Sequence, residues 1–158
     1  MVNMVNGDDY HDYLRDYYKD LSLYQIRPAN YKSRIPIIPL FITPNNWQVL
    51  DINVPMYSIN DMPLSSCLGI YRRYNYIRRC GGGNWFTAET GDGKIIGISS
   101  CALIGEDSYL VDGFCHNDYP EVFKELLSTT LNWCRKQNAR TTIMRLSDTD
   151  ENLSLIHI

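Results

Sequence analysis

The chain has 158 residues, 44% of them hydrophobic and 21% charged, a globular composition of single-domain size. Its formal charge of −3 argues against holding nucleic acid or an anionic membrane by bulk charge, and no uninterrupted apolar run of ~18 residues exists to span a bilayer. The start, MVNMVNGDDY, has neither the basic residues nor the apolar stretch of a signal peptide. Five cysteines, an odd number with no CxxC, read as reduced thiols in the cytoplasm, and with three histidines a metal site is not expected.

In chain order, Tyr10, Tyr13, Leu14, Tyr17 and Leu21 recur at helical spacing, so residues 8–21 are predicted to form an amphipathic helix capped by Asp8 or Asp9. LYQIRPAN (23–30) reads as a short strand that Pro28 ends. Pro36, Pro39 and Pro44 exclude a long helix over 35–47, leaving short turns that feed the core. Residues 47–59 fit strand or helix equally. Asp61 before Met62 and Pro63 opens a predicted helix that runs to Arg79 and stops at Gly81, Gly82 and Gly83. Those glycines read as a helix end and loop, since no Walker Lys-Ser/Thr follows them.

The second half is more sharply patterned. Strands are predicted over 84–90, 94–104 and 108–116, joined by turns at Gly91-Asp92-Gly93 and Gly105-Glu106-Asp107. Asp118 and Glu121 have the spacing of a capping pair. The helix they open carries Val122, Phe123, Leu126, Leu127, Thr130, Leu131 and Cys134 on one face and ends near Asn138. TTIMRLS (141–147) is a fourth strand, which a right-handed crossover places parallel to the third.

Three antiparallel strands, a helix and a parallel strand, together with the wording of residues 111–152, resemble the GNAT family of acyl-CoA-dependent N-acetyltransferases. Phe114 to Tyr119 stands where the family's crossover lies. Leu126-Leu127 with Leu131-Asn132-Trp133-Cys134 is similar to its helix, Asn138-Ala139 to the dipeptide before its next strand, and Ile26 to Asn30 to its opening strand. The resemblance spans residues 23–152 and is specific over 94–152. It implies an α/β domain (an α+β arrangement on a mixed sheet), residues 1–22 being an N-terminal helical extension. It also implies transfer of an acetyl group from acetyl-CoA to a small-molecule or peptide amine.

The family's pyrophosphate loop, R/Q-x-x-G-x-G/A, is degenerate here. After Tyr119 come Pro120, Glu121, Val122, Phe123, Lys124 and Glu125, with no glycine, one amide lost at Pro120, and acidic Asp118 and Glu121 alongside. By the resemblance, Phe114, Cys115, His116, Tyr119, Val122, Phe123 and Lys124 are the cofactor-binding candidates. The main chain at 112–115 would pair with the pantetheine arm. An attacking amine must lose a proton, and Asp112 and Glu89 are the candidate bases. Two other readings stand beside this one: a GNAT-fold binding module that has lost CoA affinity, and a nucleic-acid contact through the four arginines and three tyrosines of residues 71–79. Residues 153–158 can be encoded by CTG TCT CTT ATA CAC ATC, the end of a transposon-based sequencing adaptor. Native sequence is therefore expected to stop near Asn152, the family's last elements and its catalytic acid lying beyond it.

Overall fold

The structure, a computed structural model, describes residues 7–19, 23–42 and 78–144. The elements run α1 (Gly7–Tyr17), β1 (Tyr24–Pro28), a 3-10 turn (Tyr31–Arg34), α2 (Ile38–Ile42), β2 (Gly83–Thr90), β3 (Ile95–Leu103), β4 (Ser108–Cys115), α3 (Pro120–Lys136) and β5 (Thr141–Met144). The strands form one sheet in the order β1-β2-β3-β4-β5. The first four are mutually antiparallel and β5 is parallel to β4, as the crossover requires.

Cα partners place Gly97 and Ser99 of β3 beside Cys115 and Gly113 of β4, and beside Ala88 and Phe86 of β2, on the face that α3 covers. A Cβ on Gly97 would lie 2.8 Å from Leu126 Cδ1, 3.0 Å from Val122 Cγ1 and 3.1 Å from Cys115 Cβ. Glycine is therefore what lets the helix approach so closely. Ser99 Oγ adds a bond to the Leu126 carbonyl and a short one to Thr130 Oγ1, satisfying two hydroxyls that α3 buries. The opposite face is buried as well, by Ile96, Ile98, Trp85 and Phe114. The proline-rich segment feeds this core as expected, burying Ile37 and Leu40.

The expected elements from residue 83 onward are present, and α3 buries Val122, Phe123, Leu126, Leu127, Thr130 and Cys134. Its end is marked by Asn138 at φ +61°, where the family resemblance would set a glycine. The glycines at 81–83 act as a helix end: Gly81 has φ +72° and donates to the Arg78 carbonyl, and Gly83 begins β2. Three expectations are corrected. Helix α1 spans Gly7–Tyr17 rather than 8–21, so Asp8 and Asp9 lie inside it, and their side chains are outside the described residues. Its buried line is Leu14 and Tyr18, whereas Tyr13 is 61% exposed, because residues four apart stack on one face. Helix α3 has no capping pair: Pro120 occupies the first turn, making Tyr119 the N-cap, with no side-chain bond. The ambiguous segment 47–59, residues 61–77 of the helix expected to run to Arg79, the end of the last strand and residues 145–158 lie outside the described residues.

The close approach at Gly97 sets an expectation. Gly97→Ala should destabilise the fold by about 1–3 kcal/mol through overpacking. Gly105→Ala, whose Cβ would meet only Ser108 Cβ at 3.8 Å, should stay within about 0.5 kcal/mol. Urea denaturation of the two variants checks this.

Candidate functional site

Cys115 ends β4 and Pro120 begins α3, so only residues 116–119 link them. A link this short must satisfy its own amides. The His116 amide donates to the Ile96 carbonyl at 2.8 Å, the Tyr119 amide to the His116 carbonyl at 3.0 Å, and the Val122 amide to the Tyr119 carbonyl at 3.1 Å. The Asp118 amide donates to His116 Nδ1 at 3.3 Å. That bond requires Nδ1 to be an acceptor, so the neutral ring carries its proton on Nε2.

Helix α1 closes the turn from outside. The Tyr18 ring lies 4.3 Å from the His116 ring, centroid to centroid, and the Tyr119 ring lies 5.7 Å away on tilted contact. Tyr119 donates its hydroxyl to the Tyr18 carbonyl in a short bond, and the Tyr18 hydroxyl donates to the Ile95 carbonyl at 3.3 Å. The neighbouring Tyr17 ring receives Lys94 Nζ at 4.9 Å, and Lys94 is also paired with Asp92 at 3.1 Å. Burial pushes the Tyr18 phenol far up, and it pushes the His116 imidazole below its usual 6.5, with the Asp118 carboxylate pulling partly the other way. At the edge of this patch, burial and a bond to Glu125 push the Tyr24 phenol up to about 12.

The candidate site residues separate into three places. Cys115 and Val122 point between β3 and α3 at Gly97, and Phe123 is buried in the same core, so these side chains are packing groups. His116 and Tyr119 meet in the turn with Tyr18; Lys124 is exposed on α3. Phe114 is buried on the face away from α3, paired with Ile98. On that same face Asp112, Ser100 and Trp85 form one row across three strands, and the Asp112 carboxylate accepts the Gly113 amide at 2.8 Å. Glu89 is half-buried four residues along β2, opposite Ile95 and Gln25. Strand rise and spacing put the two carboxylates roughly 16 Å apart, so they do not form a pair. Of the Arg/Tyr segment, Arg78 donates to the carbonyls of Ala29 and Trp85, a structural clasp between β1 and β2, and residues 71–77 lie outside the described residues.

Tyr18 was absent from the sequence reading, although its spacing of four from Leu14 marks it as buried. Among the described residues no three His, Cys, Asp or Glu side chains gather to hold a metal, and no helix is long and apolar enough to cross a membrane.

Comparison with solved structures gives the architecture its name. A GNAT-family acetyltransferase from Staphylococcus aureus Mu50 superposes with a TM-score of 0.59 at 16% identity, over 80% of this chain and 75% of its own. Glucosamine-6-phosphate N-acetyltransferase from Arabidopsis thaliana gives 0.60 at 13% identity, over 85% and 88%. This chain has the GNAT fold. AAC(6′)-Iy, solved with the bisubstrate analogue CoA-S-monomethyl-acetylneamine, gives 0.54 at 17% identity, over 85% and 86%. No family model matches the sequence, and no curated protein matches it significantly.

The GNAT resemblance implies CoA, so the turn at 116–122 must be weighed as a seat for its pyrophosphate. It does not fit. The amides of His116, Asp118, Tyr119 and Val122 are engaged within the chain, and Pro120 has none. The two glycines flanking the region, Gly97 and Gly113, are required by packing: a Cβ on Gly113 would lie 2.7 Å from the Ile98 carbonyl oxygen.

The buried ring sets a pH dependence. Because its folded pKa lies below 6.5, the docked turn favours neutral His116, so that contribution is complete above pH 6.5 and declines as pH falls through 6.5. The urea midpoint should therefore drop between pH 7.5 and 5.5, and the His-dependent part of that drop should vanish in His116→Gln. In Asp118→Asn the drop should grow, because the opposing carboxylate is gone.

Proposed function

We propose that this domain is an N-acyltransferase-type protein that moves an acetyl group from a thioester donor to an amine. The observation that carries the reading is the shared fold. The sheet, its parallel fifth strand and α3 follow proteins whose names specify amine acetylation, a glucosamine-6-phosphate N-acetyltransferase and a structure holding an acetylneamine analogue, over 85% of this chain in each case. The acceptor class is a small-molecule or peptide amine.

In this reading the chain supplies one carboxylate for the proton that the amine loses. Asp112 is that group rather than Glu89. It lies on β4 next to the main chain of 113–115, and its bond from Gly113 holds it in place. Ser100 and Trp85 in the same row are buried while Asp112 is only half-buried, so Asp112 is the member of that row an acceptor would meet. Glu89 is too far along the sheet to share the task.

A second reading has its own observation. The engaged amides of the turn favour a GNAT-fold module that binds a partner and no longer uses CoA. An assay of acetyl transfer from acetyl-CoA to a panel of primary amines separates the two. Transfer is expected, and Asp112→Asn should lower kcat by about 10²–10⁴-fold with an unchanged melting temperature. No transfer to any amine, with no CoA heat by calorimetry, favours the module.

A further inference from the structure

The turn that does not fit a pyrophosphate says something specific about the donor. We infer that the domain recognises its acyl donor by the pantetheine thioester alone, so that a short acetyl-pantetheine serves as well as acetyl-CoA. This rests on the acyltransferase reading above.

Three independent features of the β4–α3 turn carry it. Phosphate cradles are built from backbone N–H groups free to point at the ligand. Here four of the amides between residues 116 and 122 are committed to His116, Ile96 and Tyr119, and a fifth position is proline. The charge is also of the wrong sign. Asp118 is exposed beside the helix start and Glu121 sits in its first turn, so the positive end of α3 already faces two carboxylates. Lys94 is held by Asp92 and the Tyr17 ring, and Lys124, exposed on α3, is one charge against the two acids. Finally, the His116 side of the turn is filled by protein. Tyr18 is 1% exposed, stacked on His116 and joined to Tyr119.

Nothing in the transfer needs the nucleotide end. The amine nitrogen forms a bond to the acyl carbon as the carbon–sulfur bond breaks, and the proton given up by the amine is balanced by the one the leaving thiol takes. The nucleotide contributes only binding energy, and in this chain four of the six amides from 116 to 122 are already taken up by the chain itself.

The test compares kcat/KM for acetyl-CoA and acetyl-pantetheine with the same amine on the full chain. A working cradle of two charge-assisted hydrogen bonds would favour acetyl-CoA by about a hundredfold or more. The expected ratio is within about threefold, and a preference for acetyl-CoA of about tenfold or more overturns the inference while the acyltransferase reading stands. Turnover of neither donor overturns both. Inorganic pyrophosphate provides a readout independent of turnover. It should leave the amide resonances of Asp118, Tyr119 and Val122 in place, and a saturable shift of those three overturns the inference.

Discussion

The distance between α3 and β3 governs this end of the molecule. With no Cβ at Gly97, the side chains of Val122 and Leu126 reach the sheet backbone beside Cys115, and Ser99 ties the Leu126 carbonyl and Thr130 to the same strand. That seating fixes the start of the helix close to the end of β4. Only four residues then remain to reverse the chain, and a short link in a partly dry setting must bond its own amides or leave them unsatisfied. His116 therefore answers two donors, one with its carbonyl and one with its ring, and the turn becomes a closed unit.

The N-terminal helix completes that unit from outside. Leu14 and Tyr18 form its buried line, Tyr17 meets Lys94 on the β2–β3 hairpin, and Tyr119 reaches the Tyr18 carbonyl. A carbonyl just past the end of α1 is thus satisfied by a side chain from the β4–α3 turn. Aromatic rings with polar tips suit this place, since each buries a large face and still bonds a backbone group. The chain has twelve tyrosines, ten of them before residue 80, and two of those ten, Tyr17 and Tyr18, acquire a physical purpose here. The same contacts keep His116 neutral and dry.

Much of the fold could be read from the chain. Period-two alternation bounded by glycine turns marked β2, β3 and β4, and seven positions on one helical face, all but Thr130 apolar, marked α3, because there local preference and burial agree. The order of these elements, together with the wording of residues 111–152, carries the resemblance to the fold. The misreadings come from places where tertiary contacts decide. Asp118 and Glu121 have the spacing of a capping pair, yet Pro120 fixes the helix start one residue later, and His116 takes the Asp118 amide. Tyr18 looked like one tyrosine among twelve, because its partners His116, Ile95 and Tyr119 are some 80 to 100 residues away in sequence. The separation of Asp112 from Glu89 depends on strand register, which alternation alone does not fix.

Amide hydrogen exchange at Asp118, Tyr119 and Val122, followed with and without saturating acetyl-CoA, tests most directly whether the β4–α3 turn is closed upon itself. A closed turn predicts slow exchange at all three amides in the free protein and no further slowing when acetyl-CoA is added. Fast exchange in the free protein, with protection appearing only when acetyl-CoA is present, would show an open phosphate seat and contradict it.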